Sequence, residues 1–195
     1  MEINRIGRVL RANTRMFVFG CKVPRSEVPI FGSFVKTKIQ YKDATVFGLI
    51  CNIEIQDDGM TKLLSVSEEA TDEDIEWQRQ RRVPVEASVL CVGSQENGGE
   101  IRQTLSAQPP ITLDDVFNCD DDEVTQFTRK LDFFRLVLDA RDTPCDELLA
   151  ASIRFARDVR ETNDHAAFTR DCGRELARLL ANDGARLESV LRRMA

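Results

Sequence analysis

Two kinds of residue patterning divide this chain, and they change over at Pro109-Pro110. Upstream, short runs rich in Val, Ile, Phe and Thr are cut by Gly, Pro and Asn, as strands and tight turns require. Downstream, Ala, Leu, Arg and Asp dominate and apolar residues recur at helical spacing. The pattern predicts an α+β fold: a small N-terminal antiparallel β-barrel with one inserted helix over residues 1–111, then a C-terminal α-helical bundle over 112–195. With 42% of its 195 residues hydrophobic, the chain has enough apolar surface to build a core.

The strands are expected at Arg5 to Leu10, Met16 to Gly20, Ser33 to Ile39, Ala44 to Ile55, Leu63 to Val66, Val83 to Val92 and Ile101 to Leu105. Phe17 and Phe19 share one face. In the longest strand a strict period of two places Phe47, Leu49, Cys51, Ile53 and Ile55 together. Asp57-Asp58-Gly59 and Asn97-Gly98-Gly99 read as hairpin turns, where glycine supplies positive φ. Closure into a barrel is preferred over a sandwich because it leaves no exposed edge. The inserted helix starts at Thr71. Its acids (Asp72, Glu73, Asp74, Glu76) precede its bases (Arg79, Arg81, Arg82), as the helix dipole favours. Ile75 and Trp77 are its packing residues.

The helical part begins with a capping box, Asp120 with Glu123, opening a helix through Val124, Phe127, Leu131, Phe134 and Leu138. Thr143-Pro144 starts a second helix, carrying Leu148, Leu149, Ile153, Ala156 and Val159. Phe168, Cys172, Leu176, Leu179 and Leu180 stripe a third, which Asn182-Asp183-Gly184 ends. Leu187, Val190 and Leu191 mark a short fourth. Short connections predict antiparallel packing.

Charge narrows the functional classes. The chain carries 27 Lys and Arg against 33 Asp and Glu, net −6, which disfavours a protein devoted to duplex nucleic acid. Residues 1–111 are near neutral and residues 112–195 hold most of the negative excess. Arg5, Arg8, Arg11 and Arg15 form the one local basic cluster of note. No apolar run approaches the roughly 20 residues of a membrane helix, and the first residues lack a secretory leader's apolar stretch. A cytoplasmic protein is therefore expected, with no membrane partner. The six cysteines are widely spaced without a C-x-x-C pair, and read as free thiols in buried positions.

The sequence carries no recognisable catalytic or phosphate-binding motif. No glycine begins the G-x-x-x-x-G-K-[ST] loop that surrounds phosphates, and Gly98-Gly99 precede an anion, Glu100. A cysteine nucleophile would need His165, the lone histidine, which sits in a loop-like junction. Asp120, Asp121 and Asp122, with Asp114 and Asp115, could suggest a divalent cation, but their position before a helix is explained by capping and the dipole. No cofactor, metal or catalytic residue is assigned.

The order of Ile6-Gly7-Arg8-Val9, Thr14, the Phe17/Phe19 strand, Gly32-Ser33-Phe34-Val35 and Val46-Phe47-Gly48-Leu49-Ile50 resembles the HAS barrel. That small barrel is shared by HerA-type DNA translocases and the N-terminal domains of ATP synthase catalytic-head subunits. Gln108-Pro109-Pro110, Val116, Asp122-Glu123-Val124 and Phe127 look like the segment leading out of the barrel in the translocases. The likeness spans about residues 3–127. It implies oligomer assembly and docking of a nuclease partner. The P-loop ATPase that follows the barrel in translocases is replaced here by about 70 residues of helical sequence, too few for such a domain, so ATP hydrolysis does not transfer.

The leading expectation is a non-enzymatic interaction or assembly module that docks a protein partner, such as a P-loop ATPase or nuclease, or associates with itself. The alternative is an accessory that binds DNA or RNA through the barrel, using Phe17, Phe19, Phe34 and Tyr41 near Lys36, Lys38 and Lys42. An unrecognised enzyme, with a carboxylate–metal site or a cysteine nucleophile, comes third. The candidate contacts are Arg5, Arg8, Arg11, Arg15, Lys36 and Lys38.

Overall fold

The computed structural model describes residues 5–23, 28–39, 43–55, 66, 71, 83–141 and 143–194. The predicted Asp57-Asp58-Gly59 turn, the Leu63 to Val66 return strand apart from Val66 itself, the helix after Thr71 with Ile75 and Trp77, and Tyr41 and Lys42 lie outside these residues. Six antiparallel strands close into a barrel in the order β1-β2-β5-β4-β3-β6. They are β1 (Arg5–Ala12), β2 (Met16–Val23), β3 (Phe34–Ile39), β4 (Ala44–Ile55), β5 (Val83–Glu96) and β6 (Asp115–Asn118). Among the described residues five α-helices follow: α1 (Asp121–Phe127), α2 (Phe133–Leu138), α3 (Cys145–Asp158), α4 (His165–Leu179) and α5 (Gly184–Met194). The α+β class, barrel first and helices after, is as the patterning predicts.

Strands do not end at Pro109-Pro110. The four-residue β6 lies beyond them and closes the barrel, pairing Val116 with Gly7 on β1 and with Thr37 on β3. Asp-Val-Phe-Asn is too short to show alternation and runs directly into the acidic start of α1, which hid it. Conversely, Ile101 to Leu105 is not a strand. Asn97 (φ +52°) and Gly98 (φ +63°) make the expected tight turn, but the chain then touches β5 through a single bridge, Ser94 with Arg102.

Inward-facing residues fill the barrel, Val9, Phe17, Phe19, Val35, Ile50, Val89 and Val116 among them, each no more than 1% exposed. The period of two in β4 fails once. Phe47, Leu49 and Cys51 face outward under the helices, whereas Ile53 packs against the barrel interior and Ile55 is exposed. A bulge between Ile50 and Asn52 shifts the register and exchanges the faces.

The outer faces of β3, β4 and β5 share a second core with the helices. Phe127 of α1 lies with its ring centroid 5.7 Å from Phe34, 5.6 Å from Phe47 and 5.5 Å from Phe133, within the range of favourable aromatic pairs. Helix α3 runs through the middle of this layer with Leu148, Leu149 and Ile153 buried. The capping box at Asp120 forms as expected: Glu123 N–H donates to Asp120 Oδ1 at 2.8 Å, and Asp120 N–H to Glu123 Oε2 at 3.0 Å.

The single helix expected from Asp120 to Leu138 is two. Gln103 spans the break, its Nε2 donating to the carbonyls of Phe127 (2.7 Å) and Lys130 (2.8 Å) while its Oε1 accepts the Phe133 N–H at 2.9 Å. One amide thus satisfies groups left over at the end of α1 and the start of α2, and nothing local to the helices announces it. Pro144 immediately precedes α3, and Asn182-Asp183 separate α4 from α5, where Asp183 Oδ1 accepts the Arg186 N–H at 3.0 Å.

Candidate interaction surface

The six basic residues picked out by sequence divide into groups that chain order does not suggest. Register places Arg5 and Lys36 on either side of Phe117, opposite it on β1 and β3 respectively. The closing strand β6 therefore brings the start of β1 and the outward row of β3 onto one face. Asp115, also on β6, accepts from Arg5 Nη1 at 3.3 Å and from Arg8 Nε at 3.1 Å. Lys36 pairs with Glu123, so that the glutamate capping α1 also fixes the barrel's lysine. Lys38 is exposed and, among the described residues, forms no ion pair.

Arg11 points elsewhere, to Glu86 Oε2 at 3.2 Å. Arg15 sits a strand's length from Arg5, in the β1–β2 turn, where its N–H and that of Met16 donate to Asn13 Oδ1 at 2.8 and 2.9 Å. Its side chain is exposed and, among the described residues, has no ion-pair partner. The four arginines are therefore not one patch. Exposed pairs of this kind contribute only about 0–1 kcal/mol. Their importance is that they leave less free positive charge than the sequence suggests.

Of the rings expected to form an aromatic platform for a single strand, the three among the described residues are not at the surface. Phe17 and Phe19 belong to the barrel interior and Phe34 to the layer beneath the helices, all no more than 1% exposed. A base cannot stack on a ring packed on both faces.

All six cysteines are free. Burial pushes the Cys51 thiol up to about 11 and those of Cys91 and Cys172 up to about 12; Cys21, Cys119 and Cys145 are raised for the same reason. Such thiols are poor sources of the thiolate a nucleophile needs. His165 opens α4, its Nε2 3.0 Å from the Arg160 carbonyl. Arg160 itself is partly desolvated, lying 3.7 Å over the Phe168 ring and donating to Thr128 Oγ1 at 2.5 Å. Sequence patterning gave no sign of this tie between the helices. Among the described residues no three His, Cys, Asp or Glu side chains cluster as a metal site, and no helix is long and apolar enough to cross a membrane.

The thiols set a pH dependence. Unfolded cysteine titrates near 8.5, while the folded thiols stay protonated well above that. Their contribution to stability is full below about pH 8.5 and is lost as pH rises, because the unfolded state then binds fewer protons. The urea midpoint should fall between pH 8 and 10. Replacing Cys51, Cys91 and Cys172 by alanine should flatten that slope, whatever the variant's stability at pH 7; an unchanged slope would disprove the assignment.

No protein-family model matches the chain, and no curated protein matches it.

Proposed function

We propose that this protein is a non-enzymatic docking and assembly module, its barrel serving as the contact body in the way its likeness to HAS barrels implies. The partner is a protein, of the P-loop ATPase or nuclease kind that accompanies such barrels, or a further copy of the chain. The supporting observation is how the candidate residues are used. Four of the six cations are engaged by nearby carboxylates, and Phe17, Phe19, Phe34 and Phe47 are spent on the two cores. A face of paired charges is suited to orienting a protein partner through complementary potential. A phosphate track needs unpaired cations and open rings. The free thiols fit a reducing compartment, in keeping with a cytoplasmic location.

Light scattering on the purified chain, alone and with purified candidate partners, should detect one complex of discrete mass. Reversing Arg5 and Arg8 to glutamate should slow its association about tenfold at low salt, with a smaller effect at high salt. Fluorescence anisotropy with a labelled single-stranded DNA should show no binding at low ionic strength. Affinity for that strand falling steeply with salt would replace this reading with the nucleic-acid one.

A further inference from the structure

Two irregularities of the backbone push leucines into solvent at neighbouring positions. The β1–β2 ladder pairs Val9 with Phe19 and Arg11 with Val18, so Leu10 is the extra residue of a bulge, and it is 40% exposed. It lies over Gly20 of β2, where a Cβ would sit 3.2 Å from its Cδ1. Just before β6, Ile111 to Asp114 form a turn closed by the Asp114 N–H donating to the Ile111 carbonyl at 3.1 Å. The third residue of that turn, Leu113, has φ +72°, a conformation type II turns reserve for glycine or asparagine. Leu113 is 63% exposed and Ile111 42% exposed. The Leu113 N–H donates to the Val9 carbonyl at 2.8 Å, and the Val9 N–H to the Asp114 carbonyl at 2.9 Å, which sets the turn beside the bulge.

The stability of the chain does not account for Leu113. A leucine at left-handed φ is strained, and at this exposure it recovers little by burial. The turn is nevertheless held firmly: Asp114 is buried and its Oδ2 accepts the Ile111 N–H at 2.8 Å. A strained apolar residue whose backbone is fixed by these hydrogen bonds suits an anchor for another molecule, since little backbone freedom remains to be lost on binding.

Size and charge select the occupant. The exposed parts of these three aliphatic side chains amount to at most a few hundred Å², well below the roughly 800 Å² that each partner contributes to a stable interface. That fits a short segment better than a second copy of the chain. Arg8 and Arg11 flank Leu10 with side chains 54% and 66% exposed, whereas their carboxylate partners Asp115 and Glu86 are 37% and 25% exposed. The rim thus presents guanidinium groups more than carboxylates. We infer that Leu10, Ile111 and Leu113 form a docking site for a short peptide segment of a partner protein, one with apolar side chains flanked by Asp or Glu. This rests on the docking reading above and narrows it to a surface and a ligand chemistry.

The test is to pan a displayed random library of short peptides against the full chain, with counter-selection on Leu113→Asn. Enriched sequences should combine apolar residues with an excess of Asp and Glu. A synthetic representative should bind Leu113→Asn at least about tenfold more weakly, while the variant's Tm stays level or rises. An enriched set without acidic excess, equal binding to the variant, or a lowered Tm would overturn the assignment. So would sedimentation showing a dimer that Leu113→Asn abolishes, which would give the patch to a second copy. A complex with a purified partner that survives Leu113→Asn would remove this site but leave the docking function standing.

Discussion

Phe34→Ala should destabilise the protein by about 3–5 kcal/mol and lower the unfolding midpoints of barrel and helices together. Phe34 starts β3, is 1% exposed and faces outward, meeting Phe127 of α1, Phe133 of α2 and Phe155 of α3 at centroid distances of 5.7, 6.0 and 6.3 Å. Truncation leaves a cavity bordered by three helices and a strand, none free to collapse into it without disturbing the others. The measurement is urea unfolding followed by circular dichroism at 222 nm for the helices and by hydrogen exchange of β4 and β5 amides for the barrel. Loss of the helical signal while the barrel amides stay protected would show that the two layers do not share a core.

Gly32→Val should be nearly as severe, about 3 kcal/mol, combining a left-handed φ that β-branched residues avoid with overpacking of a tight contact. Gly32 has φ +84°, and a Cβ there would lie 2.6 Å from Ala151 Cβ and 2.9 Å from the Ala151 carbonyl carbon. The loop entering β3 thus rests directly on α3, which offers it Ala150, Ala151 and Ser152, all buried. The Gly32 N–H also donates to the Ile50 carbonyl at 2.8 Å, so the loop cannot lift away without losing a barrel bond. Gly32→Ala alone should cost less, and combining it with Ala151→Gly should destabilise less than the two single changes added together, because the Cβ–Cβ clash is gone. Strict additivity by thermal unfolding would refute the contact.

What the sequence made legible follows from how local each signal is. The capping box at Asp120, the turn at Asn97-Gly98, the proline before α3 and the shared face of Phe17 and Phe19 depend on residues a few positions apart, and all are found in the structure. The misses are nonlocal. Ile53 changes face because a bulge against β5 resets the register. The helix from Asp120 breaks because Gln103, well upstream, holds the break open with three hydrogen bonds. β6 is a strand only because β1 and β3 leave it a slot. The candidate surface behaved likewise. The arginine run over β1 and the turn after it is visible in the sequence, but its division between Asp115, Glu86 and a position with no ion pair among the described residues depends on pairing partners far along the chain. Leu113 carried no signal at all, since a leucine after Pro-Pro-Ile-Thr reads as ordinary loop; its meaning lies in φ and exposure, which composition does not reveal.

The closing strand has a consequence for synthesis. Arg8 and Asp115, joined across the seam, are 107 positions apart, and β6 is the last of the six strands to leave the ribosome. Until it emerges, the nascent chain holds β1 and β3 with open hydrogen-bonding edges, the kind of surface to which other growing polypeptides can add. At roughly 5–20 residues per second that exposure lasts several seconds. The charged row on β1 is already in place during that interval to discourage wrong pairing.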